Sequence, residues 1–258
     1  MEITNLGWND SNAKQRNNEL LPNSIRGLII GKSGCGKTTL LLNLLLKDDW
    51  LDYDHLYVFG KSLYQPEYKI LQRGFERGLS RCDICETFQI KDEIIKRGID
   101  AFEYVDCVAT QKKCKGEIVA KFFSDGSDVP DPSDLRSNNM NLIIFDDLML
   151  EKQNHCEAFY TRGRHNNVDC FYISQNYFHL PRQTIRENAN FICLFKQDAR
   201  NIDHIHRDHC SDITKNEFAE FCNQGWENRY GFIVIDLTSK KNNGKYRYGF
   251  DTFYFPRS

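Results

Sequence analysis

The 258-residue sequence lacks both a charge excess and long apolar segments. Its formal net charge is −2 and its pI is about 6.4, which excludes a protein that binds nucleic acid through a uniformly basic surface. The longest apolar run, residues 40–46, is interrupted by Asn43 and is far shorter than a membrane span. The amino terminus has no basic segment followed by an apolar one. We therefore expect a soluble, intracellular protein that makes only local contact with any nucleic acid.

The ten cysteines lack the regular spacing of a paired zinc-binding hairpin. Cys82 and Cys85 form one C-x-x-C pair, but Cys107 and Cys114 are separated by six residues. Zinc at these four positions therefore stays an open alternative, and ordinary free thiols are the favoured interpretation.

The sequence does contain a phosphate-binding loop. Residues 31–38 read GKSGCGKT and fit G-x-x-x-x-G-K-[ST] at every constrained position. An apolar run before the loop predicts a buried strand, and the leucines after Lys37 predict a helix. Lys37 would reach the β- and γ-phosphates of a nucleotide, and the Thr38 hydroxyl would ligate Mg²⁺. The predicted nucleotide-binding residues are Gly31, Lys32, Ser33, Gly34, Cys35, Gly36, Lys37, Thr38 and Thr39.

Two later strands predict polar side chains beside the same phosphates. The apolar residues 142–145 precede Asp146 and Asp147, so a buried strand delivers two carboxylates to its carboxyl end. Asp146 would hold Mg²⁺ through coordinated water, and Asp147 would orient and polarise the attacking water. Residues 171–173 predict another central strand, and Gln175 at its end is a candidate sensor of the γ-phosphate.

Arg162 and Arg164 lie in a polar turn before the strand that ends near Gln175. We expect this turn to lie near the ligand-binding edge of the sheet. An arginine there would act on its own site or on a neighbouring subunit's site as an arginine finger. A surface ion pair or a cation at a helix end is the alternative for each residue.

The remaining patterns divide the chain into an arm and one domain. Residues 1–24 are rich in Asn and charge and predict an N-terminal arm, and residues 25–258 predict a single P-loop domain. Within it, residues 79–140 resemble an insert, with a helix at 91–97, an extended segment at 102–108 and a long loop at 124–139. Residues 230–255 predict a C-terminal β-hairpin, because Asn243-Gly244 is a strong turn signal.

Five stretches together carry a family resemblance. The stretches GKSGCGKTT, LIIFDD, GRHNN, YISQNYF and LPRQTIRENANFICLF resemble viral genome-packaging ATPases of the poxvirus type, in the FtsK-HerA superfamily. GRHNN and ISQNYF are most similar to Polinton (Maverick) and virophage members. The resemblance spans about residues 25–195 and implies an α/β fold, with a RecA-like core whose central, mainly parallel sheet is flanked by helices. It also implies Mg²⁺-dependent ATP hydrolysis and translocation of double-stranded DNA into a capsid.

The resemblance also assigns roles and partners. Lys37 and Thr38 match the phosphate-loop pair, Asp146 the metal-supporting acid and Gln175 the polar sensor. Many relatives in the wider division carry Glu where Asp147 stands. Arg164 is the preferred match to the trans-acting arginine, and Arg162 and Arg186 are its substitutes. The implied partners are double-stranded DNA, capsid vertex proteins and identical subunits in a ring, a pentamer or hexamer, without a membrane. The implied location is a viral factory in the host cytoplasm, the host nucleus or the virion.

A P-loop phosphotransferase of the nucleotide-kinase type, acting on a small acceptor, is the alternative function. Such an enzyme needs a lid with several arginines, and the sequence shows no such lid. A GTP switch would carry an N-K-x-D motif after a strand, which is also missing. A scaffold with a vestigial nucleotide site is disfavoured because Lys37, Thr38, Asp146 and Asp147 are all present.

Overall fold

The computed structural model describes residues 15–112, 116, 118–135 and 138–257, without the side chains of Lys91, Ile95, Arg164 and His165. The strands of the described chain are β1 (Arg26–Ile30), β2 (His55–Gly60), β3 (Val119–Phe123), β4 (Asn141–Asp146), β5 (Val168–Ser174), β6 (Phe191–Phe195), β7 (Phe232–Asp236), β8 (Tyr246–Tyr248) and β9 (Thr252–Tyr254). The helices are α1 (Lys37–Leu46), α2 (Pro66–Glu76), α3 (Arg81–Gln89), α4 (Lys91–Lys96), α5 (Ala101–Lys112), α6 (Asn154–Arg162), α7 (Ala199–His209) and α8 (Lys215–Gly225).

The described strands form one sheet in the order β3-β2-β4-β5-β1-β6-β7-β8-β9. The strands from β3 to β6 in this order pair in parallel, and β7, β8 and β9 continue the sheet antiparallel. The predicted α/β class with a central, mainly parallel sheet is confirmed. Since β5 lies between β1 and β4, their carboxyl ends meet at one edge of the sheet.

Both faces of the sheet are apolar, because successive side chains of a strand point to opposite faces. On β1, Leu28 and Ile30 belong to one core cluster and Ile29 to the other. The helices α1, α2, α3 and α5 cover the face of Ile29, and α6, α7 and α8 cover the face of Leu28. The central strands are therefore buried on both sides, which fixes the position of whatever follows their carboxyl ends.

The extended segment predicted at residues 102–108 is wrong, because this stretch lies within α5. Ala101, Val105 and Val108 pack towards the core, and their spacing is that of one helical face. The carboxylate of Asp100 accepts a hydrogen bond from the backbone N–H of Phe102 (2.8 Å) at the start of the helix. The apolar stripe and this cap together favour a helix.

The described residues between 79 and 140 pack with the rest of the domain. Strand β3 pairs with β2 at the sheet edge, and the predicted helix at 91–97 is confirmed as α4. On α5, Asp106 pairs with Arg73 of α2 (2.7 Å). The described part of the predicted loop at 124–139 contains only two short 3₁₀ turns.

The described part of the predicted arm, residues 15–24, packs against the sheet. The buried carboxylate of Asp169 on β5 accepts hydrogen bonds from Arg16 (2.9 Å), Asn17 (3.0 Å) and the backbone N–H of Ile25 (2.7 Å). Leu21 is also buried. Residues 1–14 lie outside the described chain, so these contacts concern only the end of the arm.

The predicted C-terminal hairpin forms as β7 and β8, which pair antiparallel on either side of Asn243-Gly244, but its second strand is divided and a third strand, β9, follows. Residues 246–254 are divided by Gly249, whose φ of 61° is left-handed, into β8 and β9. Asn243-Gly244 lies within the longer connection between β7 and β8, so it does not form the two-residue turn expected of it. Asp236 anchors this connection, accepting hydrogen bonds from Thr238 N (2.9 Å) and from Arg247.

No helix among the described residues is both long and apolar enough to cross a lipid bilayer.

Candidate active site

The phosphate-binding loop has the predicted strand-loop-helix form. It connects β1 to α1, and Gly34 (φ 74°) and Gly36 (φ 106°) adopt left-handed conformations that favour glycine. A Cβ at Gly31 would lie 2.4 Å from Cys35 Sγ, so that position has no room for a side chain. The Lys37 ammonium donates to the carbonyls of Gly31 (2.6 Å) and Lys32 (3.0 Å). The loop thus holds a positive charge beside the amino end of α1, where anions are stabilised.

A cleft of about 850 Å³ opens at the carboxyl edge of the parallel strands. We call it the carboxyl-edge cleft, and its volume lies in the range of small-molecule and cofactor sites. Among the predicted site residues, its lining includes Ser33, Gly34, Gly36, Lys37, Thr38, Thr39, Asp146, Asp147 and Gln175. Gly31, Lys32 and Cys35 lie in the loop but do not line the cleft.

Asp146, the last residue of β4, is buried and accepts a hydrogen bond from the Tyr68 hydroxyl at 2.5 Å. Burial raises the pKa of the Asp146 carboxyl and the charge of Asp147 adds to this, whereas the Tyr68 hydrogen bond and Lys37 act in the opposite direction. Sequence analysis missed Tyr68, because α2 shows only the apolar pattern of a packing helix. Nothing in that pattern distinguishes Tyr68 from a core tyrosine.

Asp147 directly follows β4 and has a left-handed backbone with φ of 56°. Such a conformation costs a residue other than glycine about 1–2 kcal/mol and is concentrated at functional sites. Its backbone N–H donates to the carbonyl of Ile173 on β5 (3.3 Å). The tight turn keeps Asp147 in the lining of the cleft beside Asp146.

Gln175 follows β5, and the last two residues of β5 are hydrogen-bonded to the phosphate loop and to Asp147. The carbonyl of Ser174 accepts from the N–H of Gly31 (3.0 Å), and the carbonyl of Ile173 accepts from that of Asp147. The structure therefore brings together the phosphate loop, the acid pair and Gln175, as the sequence predicts.

Arg162 and Arg164 do not lie at this edge. Arg162 ends α6 and Arg164 lies in the 3₁₀ turn Gly163–Asn166, before the amino end of β5. The seven residues of β5 separate this turn from the cleft by about 20 Å, more than an arginine side chain spans. The expectation that the turn lies near the ligand edge is wrong, and action of either arginine on its own subunit's site is excluded.

The three arginines differ in their surroundings. Exposed Arg162 pairs with Asp131 (2.8 Å). Arg186 is 5% exposed, and its guanidinium lies 3.2 Å from Asp208 and 5.0 Å from the ring centroid of Tyr177. This burial favours a structural role for Arg186. The Arg164 side chain lies outside the described structure.

Aromatic side chains from separate segments also line the cleft. Trp50 and Phe250 have ring centroids 4.6 Å apart, and Phe232 lies 5.3 Å from Phe250. Tyr230, 55% exposed, also lines the cleft and lies beside the phosphate loop, 3.5 Å from where a Cβ at Gly36 would stand. Sequence analysis missed this apolar wall because it is assembled from chain segments far apart.

The zinc alternative has no support in the described chain. Cys82 and Cys85 lie on α3, Cys107 lies on α5, and Cys114 is outside the described residues. The described His, Cys, Asp and Glu side chains form no group of three or more suited to a metal ion.

The family comparison agrees with this arrangement. The family model described as Poxvirus A32 protein matches residues 105–247, more than half of the chain. The chain belongs to the Poxvirus A32 protein family. The match includes Asp146, Asp147 and Gln175 but begins after the phosphate loop. The assignment of the phosphate loop in this A32-family member therefore depends on the sequence and geometry of the loop itself. No curated protein matches the chain.

Solved structures share the fold. The genome packaging NTPase B204 from Sulfolobus turreted icosahedral virus 2, in complex with AMPPCP, superposes with a TM-score of 0.51 and 8% identity, covering 90% of this chain and 100% of that chain. B204 from Sulfolobus Turreted Icosahedral Virus, described as the DNA-packaging ATPase, gives a TM-score of 0.51 and 12% identity, covering 88% and 97%. At these identities the likeness shows the fold of the A32-family chain.

Proposed function

We propose that this protein hydrolyses ATP with Mg²⁺ and uses the energy to move double-stranded DNA into a viral capsid. The observation that carries the proposal is the convergence of Lys37, Thr38, Asp146, Asp147 and Gln175 on one cleft. Membership of the A32 family and a fold shared with packaging NTPases support the same function. The alternative phosphotransferase has no comparable support.

The cleft offers groups for both the phosphates and the base of a nucleoside triphosphate. The phosphates would occupy the loop. The Lys37 ammonium would then give up its hydrogen bonds to the carbonyls of Gly31 and Lys32 and donate to phosphate oxygens instead. The base would lie against the aromatic wall of Trp50 and Phe250, because purines are flat and apolar on their faces.

The acidic end of the cleft fits Mg²⁺ and an attacking water. The Thr38 hydroxyl and the Asp146 carboxylate line the cleft and are hard oxygen donors of the kind that Mg²⁺ prefers. When bound, the ion would neutralise charge on the β- and γ-phosphates. Asp147 would orient the water and accept its proton, and Gln175 would hydrogen-bond the γ-phosphate.

We further propose a ring of identical subunits, a pentamer or hexamer, in which Arg164 completes the neighbouring site. Because Arg164 precedes β5 at the amino edge, this edge of one subunit would face the carboxyl-edge cleft of the next. Docking on capsid vertex proteins, in a viral factory in the cytoplasm or the nucleus, completes the proposed role.

Replacing Lys37 by Ala tests the proposal at the phosphate loop. We expect kcat for ATP hydrolysis to fall by about 10²–10³-fold, because a positioned charge on the transferring phosphate is lost. Steady-state phosphate release from the native chain and the variant is the measurement. A variant with native kcat would contradict the assignment of this cleft as the ATPase site.

Replacing Tyr68 by Phe removes only the hydroxyl that holds Asp146. We expect the apparent Mg²⁺ affinity in nucleotide binding to weaken about 10-fold, the usual cost of losing an outer partner of a metal ligand. Binding of a fluorescent ATP analogue titrated with Mg²⁺ measures this. Tyr160→Phe is the matched control, since Tyr160 is equally buried and donates at 2.5 Å to the Gly27 carbonyl, outside the cleft lining. Equal Mg²⁺ dependence in the two variants would contradict the prediction.

A further inference from the structure

The solvent-facing side of α7 carries a row of basic side chains. Arg200, His204 and Arg207 are spaced i, i+4 and i+7, which places them on one helical face. The opposite face buries Asn201 and Ile205. We call Arg200, His204 and Arg207 the α7 stripe. It extends for about 10 Å, which corresponds to about three base-pair steps of a DNA duplex.

The acidic residues of α7 do not cancel this charge. Asp203 pairs with Lys215 of α8 (2.9 Å). Asp208 is buried against Arg186 (3.2 Å) and lies 4.0 Å from Arg207. No carboxylate in the described part of the chain forms an ion pair with Arg200. Arg200 and Arg207 therefore make the stripe locally positive on a protein whose net charge is −2. Burial and the charge of Arg207, which donates a hydrogen bond to the His204 ring, lower the pKa of His204, so this side chain is neutral at neutral pH.

One end of the stripe is ordered by Phe178. The Arg200 guanidinium lies 4.4 Å from the Phe178 ring centroid, and the His204 ring centroid lies 4.5 Å from it. The Phe178 N–H donates to the Asn201 side chain on α7 (3.2 Å). Stacking on an aromatic ring orients a guanidinium while leaving its N–H groups available for anions. The ring is 36% exposed, and its contacts with both side chains leave less of it for stacking an unpaired base.

The same contacts connect the stripe to the carboxyl-edge cleft. Phe178 lies three residues after Gln175, and Asn176 accepts the Phe178 N–H through its side chain (3.0 Å). A displacement of α7 would therefore shift Phe178 and Asn176, and Asn176 is the neighbour of Gln175 in the chain.

We propose that the α7 stripe, with Phe178, binds the phosphate backbone of double-stranded DNA and transmits that contact to Gln175. The proposal deepens the proposed function and rests on it. Arginines aligned on a rigid helix suit phosphates, whose recognition needs no base sequence. The occupied Phe178 ring favours a duplex over a single strand, which would need free aromatic faces.

An Arg200→Glu variant of the full chain tests the proposal, with Arg97→Glu as the matched control. Arg97 is also exposed, but it follows α4 in the helical layer on the other face of the sheet. We expect Arg200→Glu to weaken binding of long duplex DNA about 10-fold and to reduce the slope of log K against log salt by about one. DNA-free ATP hydrolysis should stay native, stimulation by DNA should be lost, and Arg97→Glu should behave like the native chain.

Each other outcome overturns the proposal. Equal duplex binding by the two variants would mean that the stripe does not contact DNA. Loss of DNA-free hydrolysis in Arg200→Glu would place Arg200 at a nucleotide site, and tighter binding of single-stranded DNA by the native chain would indicate base stacking. Hydrolysis by a native chain that binds no duplex would overturn this inference but leave the ATPase intact. A native chain that hydrolyses no ATP would overturn the proposed function itself.

Discussion

An Asp147→Asn variant is expected to hydrolyse ATP about 10²–10⁴-fold more slowly than the native chain while binding ATP equally well. The carboxamide has nearly the same shape as the carboxylate but cannot accept the proton of the attacking water. Asparagine also tolerates the left-handed backbone found at this position (φ 56°), so the turn after β4 should be retained. Single-turnover hydrolysis together with equilibrium nucleotide binding separates the chemical step from affinity.

The control is Asp147→Glu, which keeps a carboxylate at this position. We expect it to retain more activity than Asp147→Asn. A native rate in Asp147→Asn would contradict the role of Asp147 as base. Glu67 at the start of α2 is then the next carboxylate to test, because it also lines the carboxyl-edge cleft.

An Arg164→Ala variant is expected to lose at least about 10³-fold in kcat, the effect of removing an arginine finger. Its position at the amino edge permits action only on a neighbouring subunit's site. Arg162→Ala is the matched control, because exposed Arg162 already pairs with Asp131 in its own subunit. We expect Arg162→Ala to stay within a few-fold of the native rate, since exposed ion pairs contribute little.

Mixing two inactive variants separates action in trans from a folding defect. Lys37→Ala subunits retain the arginine, and Arg164→Ala subunits retain an intact cleft. A trans-acting arginine predicts that the mixture hydrolyses ATP faster than either variant alone. A mixture no faster than its components would contradict the trans role of Arg164.

The sequence predicted well which polar side chains meet in the carboxyl-edge cleft, because the patterns that carry them are local. The phosphate loop needs glycines and Lys37 at fixed spacing. Asp146 ends β4 and Gln175 follows β5, and these side chains meet because β4, β5 and β1 are parallel neighbours in the sheet. The Tyr68 contact and the aromatic wall could not be predicted in this way, because they join segments far apart in the chain.

The errors have equally specific causes. Residues 102–108 taken alone are too short to show the helical stripe, which includes Ala101 and is preceded by the Asp100 cap. The turn with Arg164 is close to Gln175 in sequence, but an intervening strand carries the chain from one edge of the sheet to the other. Proximity in sequence therefore indicated the wrong edge.

The most direct test of the proposed motor is steady-state ATP hydrolysis measured against protein concentration, with and without long double-stranded DNA. We predict a rate per subunit that rises with concentration, as sites are completed by neighbouring subunits, and rises further with DNA. A rate independent of concentration and indifferent to DNA would contradict the ring motor and favour a phosphotransferase acting on a small acceptor.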